Sequence, residues 1–255
     1  MSHIDIPLAR RDVIAGRLRD GQSVIATALA LEFDVSEDAI RRDLRALAAE
    51  GVCRRVYGGA LPLSDDTPMI QRVNEGQAQK TRLAKAGAAT IRPGELIFLD
   101  SGSTNLALVE LLPDDFELTV VTNSIVIAAA LLPRSDIRLI CLGGNVTHQL
   151  GGCVDSSALL QVSRINIDRA FIGACSVSVE GGVCAIDYAD SVFKRQVIQS
   201  SKHNIVLATN EKFTKNSLHQ IAEVSEFDHL IVEHDLAQAE FDAYASLNVQ
   251  VTRAE

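Results

Sequence analysis

Residues 36–60, Ser-Glu-Asp-Ala-Ile-Arg-Arg-Asp-Leu-Arg-Ala-Leu-Ala-Ala-Glu-Gly-Val-Cys-Arg-Arg-Val-Tyr-Gly-Gly-Ala, leave the chain few ways to fold. Ile40, Leu44 and Leu47 recur at i, i+4 and i+7, which lines one face of an α-helix with apolar side chains. At about 100° per residue, Arg41, Arg42 and Arg45 project away from that stripe. Ser36 can accept a hydrogen bond from a free amide of the first turn, and Glu37 and Asp38 suit its positive end. Gly51 is placed to stop the helix. Residues 52–56 and the segment after Tyr57 then pair as a hairpin around Gly58-Gly59.

Upstream, Val13, Ile14 and Leu18 suit a first helix over 10–18, which Gly21-Gln22-Ser23 ends. A second helix over 26–33 puts Leu29, Ala30 and Phe33 on one face, and Asp34-Val35 makes a tight turn. Three short helices followed by a hairpin describe a winged helix-turn-helix. An α-helix fits the major groove, arginine reads guanine with two hydrogen bonds, and further arginines hold phosphates. The candidate DNA contacts are therefore Ser36, Arg41, Arg42 and Arg45 on the helix, with Arg54, Arg55 and Tyr57 on the hairpin. Asp43 is expected to pair with an arginine and fix its rotamer. The expected partner is double-stranded operator DNA.

The charge distribution agrees. Residues 1–62 hold nine arginines, no lysine and nine acidic residues, so the remainder carries the whole net charge of −9. A neutral module binds DNA when its arginines share a face, whereas an acidic one repels the phosphate backbone. Residues 1–60 are read as the DNA-binding domain, 61–69 as a proline-containing linker, and 70–255 as a sensor and oligomerisation domain. A polar helix over 70–91 is expected to open the sensor. Strands over 95–100, 118–122, 137–142, 169–173, 205–209 and 229–233 then alternate with helices over 103–112, 124–132, 156–165, 188–200 and 236–246. Such alternation predicts an α/β, Rossmann-like, mainly parallel sheet with helices on both faces.

Within the sensor, the strand through Leu99 and Asp100 runs into Ser101-Gly102-Ser103-Thr104-Asn105 at the start of a helix. Hydroxyls and free amides in such a loop suit anionic oxygens. The phosphate-binding spacing G-x-x-x-x-G-K-[ST] does not occur, so this is not a nucleotide P-loop. Thr122-Asn123-Ser124 and Gly143-Gly144 end the next two strands. Ligands of parallel sheets collect at such strand ends.

In these motifs the chain resembles the DeoR family of bacterial regulators. The signature Val-Ser-x-x-Thr-Ile-Arg-Arg-Asp-Leu has its counterpart in Val35–Leu44 with Ala39 in place of Thr, and the wing ends Gly58-Gly59-Ala60. Ile25 stands where a small polar residue often opens the second helix. The segments Asp-x-Gly-x-Thr, Val-Thr-Asn and Gly-Gly and a late Asp/Glu/Lys set match the family's sensor. The resemblance implies a fold shared with ribose-5-phosphate isomerase and CoA transferases, and a phosphorylated sugar as effector. It implies that Asp100, Ser101, Gly102, Ser103 and Thr104 hold phosphate or the adjoining sugar end, flanked by Thr122 and Asn123, with Gly143 and Gly144 nearby. Asp187 would accept sugar hydroxyls and Lys212 would supply positive charge. Three positions depart from the pattern: Thr209 replaces an Asp, Asp190 a Glu, and Asp155 a Gly. Lys194-Arg195 matches a family pair that is read as structural support or interface.

Five scattered cysteines with no C-x-x-C pair indicate neither zinc nor redox chemistry, and the histidines show no metal-binding spacing. No metal or cofactor is expected. No apolar run reaches the roughly 18–20 residues of a membrane span. Residues 1–11 carry charge where a signal peptide is apolar, so cytoplasmic location is expected. A homodimer or homotetramer is expected, because a two-fold operator needs two reading heads. The reading is a repressor of a carbohydrate-catabolism operon, not an enzyme. The alternative is an aldose–ketose phosphate isomerase with Asp187 as general base and Lys212 polarising the carbonyl.

Overall fold

The computed structural model describes residues 7–19, 22, 24–50, 52–56, 58–62, 67–215 and 217–255, without the side chains of 7–9, 19, 54, 61 and 62. The expectations for Gly21, Ser23, Gly51, Tyr57 and the Arg54 side chain lie outside the described residues, as does the centre of the linker. Internal contacts divide the chain into two compact units, 1–67 and 68–255.

The first unit holds α1 (Pro7–Arg19), β1 (Val24–Ile25), α2 (Ala26–Glu32), α3 (Glu37–Ala49), β2 (Cys53–Val56) and β3 (Gly59–Pro62). Ile40, Leu44 and Leu47 of α3 pack with Ile14 and Leu18 of α1 and Leu29 of α2 in one buried cluster. Ser36 caps α3, its hydroxyl accepting from the Ala39 amide at 3.3 Å. Ile25 gives α2 no side-chain cap. The Gly58 carbonyl accepts from the Ala26 amide at 2.8 Å instead, so the wing turn takes over the missing cap.

β1 was not expected; only two residues long, it joins β3 antiparallel and makes the wing three-stranded in the order β1-β3-β2. This pairing requires a glycine at 59, because a Cβ there would strike the Val24 carbonyl oxygen.

The second unit opens with α4 (Met69–Arg72) and α5 (Gln77–Ala88) rather than one continuous helix. Gly76 interrupts it with φ +56°, a left-handed conformation that glycine adopts without a Cβ penalty. There follow β4 (Leu96–Leu99), α6 (Ser103–Val109), β5 (Thr119–Thr122), α7 (Ile125–Leu131), β6 (Arg138–Cys141), β7 (Val146–Thr147), β8 (Gly152–Cys153) and α8 (Ser156–Val162). The chain continues through β9 (Ile167–Ile172), β10 (Ser176–Ser178), β11 (Gly182–Ala185), α9 (Tyr188–Gln199), β12 (Ser201–Ala208), β13 (His219–Ala222), β14 (His229–Glu233), α10 (Gln238–Ala245) and β15 (Gln250–Ala254).

Seven strands form one sheet, β15-β14-β12-β9-β4-β5-β6, and each pairing in it is parallel. Alternate side chains serve opposite faces. Ile97 and Leu99 of β4, Phe171 of β9 and Ile231 of β14 pack with α5, α6 and α7. Phe98, Ala170, Ile172 and Leu230 pack on the other face with α8, α9 and α10. Both faces are covered, so these strands read as continuous apolar runs. A separate antiparallel sheet, β10-β11-β13, and the hairpin β7-β8 stand beside this sheet.

Candidate functional site

In the head, the side chains of Arg41, Arg42, Arg45 and Arg55 are exposed, while the apolar stripe of α3 is inside. Arg41 rests on the acidic first turn of its own helix, 2.7 Å from Glu37 and 3.8 Å from Asp38. Arg42 Nε donates to the Asp38 carbonyl at 3.3 Å. A surface pair at i, i+4 is worth about 0.3–0.5 kcal/mol, less than a two-bond base contact at about 1–3 kcal/mol, so it does not lock Arg41 in place. Ser36 spends its hydroxyl on the cap. Asp43 is buried and accepts from Arg10 Nε at 2.7 Å, which ties α3 to α1 and keeps the acid off the exposed arginine face.

In the sensor, a cavity of about 270 Å³ opens where β4, β9, β12 and β14 end. Ser101, Gly102, Ser103, Thr104 and Lys212, all candidates from the sequence, line it. Thr209, which replaces the family's Asp, lines it too, and its hydroxyl donates to Glu211 Oε1 at 3.3 Å. Lys212 is mostly buried with its Nζ 3.3 Å from Glu211, whose own second oxygen faces Lys215 at 3.6 Å. Burial alone would push the Glu211 carboxyl up, but the Lys212 and Lys215 charges hold it below the usual carboxylate range.

Other expected residues stand behind the cavity rather than on its wall. Thr122 and Asn123 are fully buried. The Thr122 hydroxyl donates to the Leu99 carbonyl at 2.7 Å, and Asn123 Oδ1 accepts from the Ser101 amide at 3.1 Å. Both therefore shape the loop and do not line the cavity. Asp100 is also fully buried beneath the wall, its Oδ2 accepting from the Gly173 amide at 2.8 Å. Glycine suits that approach, since a Cβ at 173 would crowd the same oxygen at 3.0 Å. Asp187 is exposed and caps α9, accepting from the Asp190 amide at 2.9 Å.

Gly143 and Gly144 are exposed and away from the cavity; Gln161 bonds both the amide and the carbonyl of Gly143, and the Asp155 carboxylate lies against Gly144. Asp155, the replacement for a family glycine, caps α8 through the Ser157 and Ala158 amides and ties down the Asn145 amide at 2.8 Å.

Arg72 and Lys80, which the sequence did not single out, also line the wall, and so do Asp190 and Lys194, expected only as a departure from the family pattern and as structural support. Lys194 is 3% exposed, with its Nζ 2.7 Å from Asp190 and 3.3 Å from Asp100. Burial and the neighbouring Asp190 raise the Asp100 carboxyl to about 6 even though Lys194 and the Gly173 amide pull it down. Burial works against the Lys194 charge, but the two carboxylates outweigh it and hold the lysine above its usual range. Lys80 Nζ donates to the Arg72 carbonyl at 2.5 Å, and burial lowers its pKa. The i, i+4 spacing of Asp190 and Lys194 was the available signal. It became informative only once α9 was known to lie against the end of β4.

An arginine-faced winged helix in one unit and a polar cavity at the strand ends of a parallel sheet in the other define a DNA-binding regulator with a sensor domain. The comparisons with known proteins agree. Residues 10–65 match the DeoR-like helix-turn-helix domain and residues 75–234 the DeoR C terminal sensor domain. The chain belongs to the DeoR family of transcriptional regulators.

It is 31% identical over 219 residues to an uncharacterized HTH-type transcriptional regulator FruR of Bacillus subtilis (strain 168), covering 85% of this chain and 86% of the relative. It is 29% identical to the putative aga operon transcriptional repressor of Escherichia coli O157:H7, covering 95% and 92%. It is 31% identical to the glycerol-3-phosphate regulon repressor of Escherichia coli (strain K12), covering 81% and 83%. These relatives are named regulators or repressors, which sets the isomerase alternative aside. The ribose 5-phosphate isomerase A of Methanocaldococcus jannaschii aligns over 55% of each chain at 17% identity with a TM-score of 0.38, too partial a likeness to carry an argument. Among the described residues no helix is long and apolar enough to cross a membrane, and no cluster of potential ligands could hold a metal ion.

Proposed function

We propose that the protein represses a carbohydrate-catabolism operon in the cytoplasm and that a phosphorylated sugar, held in the sensor cavity, controls its grip on operator DNA. The observation that carries this reading is the cavity wall itself. Hydroxyls of Ser101, Ser103 and Thr104 share it with the cationic side chains of Arg72, Lys80 and Lys212. Hydroxyls and fixed cations together suit a phosphate, and the neighbouring acids suit sugar hydroxyls.

Arg41, Arg42 and Arg45 read or hold the duplex from α3, with Arg54, Arg55 and Tyr57 on the wing, in a homodimer or homotetramer that places two heads on one operator. The Ser36 hydroxyl serves DNA binding by fixing the start of α3. The effector acts only through the difference in its affinity for the DNA-bound and free arrangements, so a tenfold change in operator affinity requires about 1.4 kcal/mol of coupling.

The test is a panel of pentose and hexose phosphates screened by thermal shift on the full chain, followed by operator titrations with each compound that stabilises it. A stabilising compound is expected to change operator affinity at least severalfold. If no phosphorylated sugar both stabilises the protein and alters operator binding, the reading is wrong.

A further inference from the structure

Buried polar atoms without partners show where this cavity awaits one. Among the described residues, Arg72 Nε, Ser101 Oγ and Asp190 Oδ1 are each buried without a hydrogen bond, and all three residues line the same cavity. A buried polar atom left unpaired costs about 1–3 kcal/mol, so three of them on residues that line one cavity point to a ligand that completes them.

Their chemistries differ. Arg72 Nε can only donate, Ser101 Oγ donates or accepts, and the Asp190 carboxylate only accepts. Arg72 has no ion-pair partner among the described residues, so its charge is available to an anion. Asp190 is fixed from behind, its other oxygen 2.7 Å from Lys194 Nζ. That ammonium already serves two carboxylates, Asp190 and Asp100, and has no positive charge of its own to spare.

Resting on the sugar-phosphate reading above, we infer that the cavity takes its ligand in one orientation, with the anionic group at Arg72 and an uncharged hydroxyl donating to Asp190 Oδ1 beside Ser101. Asp190 is then the specificity-determining residue. It accepts monophosphorylated polyols and rejects ligands that carry a second phosphate or a carboxylate at the far end, because such a group would face two carboxylates that share one cation. Asp187, three residues earlier, only caps the helix that presents Asp190.

The experiment is calorimetric titration of the full chain with matched probes: ribose 5-phosphate, glucose 6-phosphate and fructose 6-phosphate, then glucose and fructose 1,6-bisphosphates, and inorganic phosphate. A monophosphate that binds is expected to bind at least about tenfold more tightly than its bisphosphate. Asp190→Asn should weaken the monophosphate about tenfold and narrow that ratio, leaving inorganic phosphate unchanged, whereas Arg72→Ala should weaken all three classes.

Ser101→Ala removes a hydroxyl with no internal partner. It should leave the free protein's thermal stability intact while weakening the monophosphate, and it carries the test should Asp190→Asn unfold. Monophosphates that bind without preference over bisphosphates, or that ignore both Asp190→Asn and Ser101→Ala, overturn this inference and leave the effector reading standing. Failure of every phosphorylated sugar to bind overturns both.

Discussion

Replacing Lys194 by methionine removes the ammonium that lies between Asp100 and Asp190 while keeping an unbranched side chain of similar reach. All three groups are almost completely buried, at 3%, 0% and 1% exposure. Breaking a buried pair by deleting one partner costs about 3–5 kcal/mol, because the surviving charge stays in a dry site. For a unit the size of residues 68–255, each kcal/mol is worth about 2–4 °C, so the midpoint of the sensor should fall by about 6–20 °C.

The pH dependence follows from Asp100, whose folded pKa of about 6 lies above its ordinary 3.8. Between those values the folded state binds more protons than the unfolded state, so stability rises as pH falls through that window. Without the ammonium the Asp100 carboxyl protonates more readily, and the deficit of Lys194→Met should shrink at pH 5 relative to pH 8. Thermal unfolding of the full chain by far-ultraviolet circular dichroism at both pH values measures this. A midpoint within about 2 °C of the parent at pH 8, or a deficit no smaller at pH 5, would refute the triad as drawn.

Asp43→Ala should destabilise the head by about 3–5 kcal/mol, seen as a lower urea midpoint for residues of α1 and α3, because it leaves Arg10 buried and unpaired. Gly59→Ala should break the β1-β3 pairing, since the new methyl meets the Val24 carbonyl; faster amide exchange in the wing and weaker operator binding are the readouts. Asn123→Ala should cost about 1–3 kcal/mol by stranding the Ser101 amide, and should also weaken any effector although Asn123 does not line the cavity.

The fold was largely legible because its elements repeat a period long enough to recognise. The arginines and apolar stripe of α3 were readable from spacing alone, and so were six of the seven strands in the parallel sheet. Strands as short as Val24–Ile25 and Gly182–Ala185 were not, since pairing partners rather than local pattern define them. The break at Gly76 was hidden in a polar stretch where helix and loop share a composition.

The site divided in the same way. Loop residues 101–104 and Lys212 belong to motifs contiguous in sequence. Arg72, Lys80, Asp190 and Lys194 come from three different helices, and only the packed sheet brings them to one cavity. Asp100, Thr122 and Asn123 have the chemistry of ligand contacts but use it to hold the loop from behind.

The most direct measurement is an operator titration by fluorescence anisotropy, comparing the full chain with Arg41→Ala and Arg42→Ala, with and without the sugar phosphate that stabilises the protein most. The account predicts that at least one of these arginines is worth about 1–3 kcal/mol of operator affinity and that the sugar phosphate shifts the parent's binding curve. Two variants that bind operator as tightly as the parent, with a curve unmoved by any bound sugar phosphate, would contradict it.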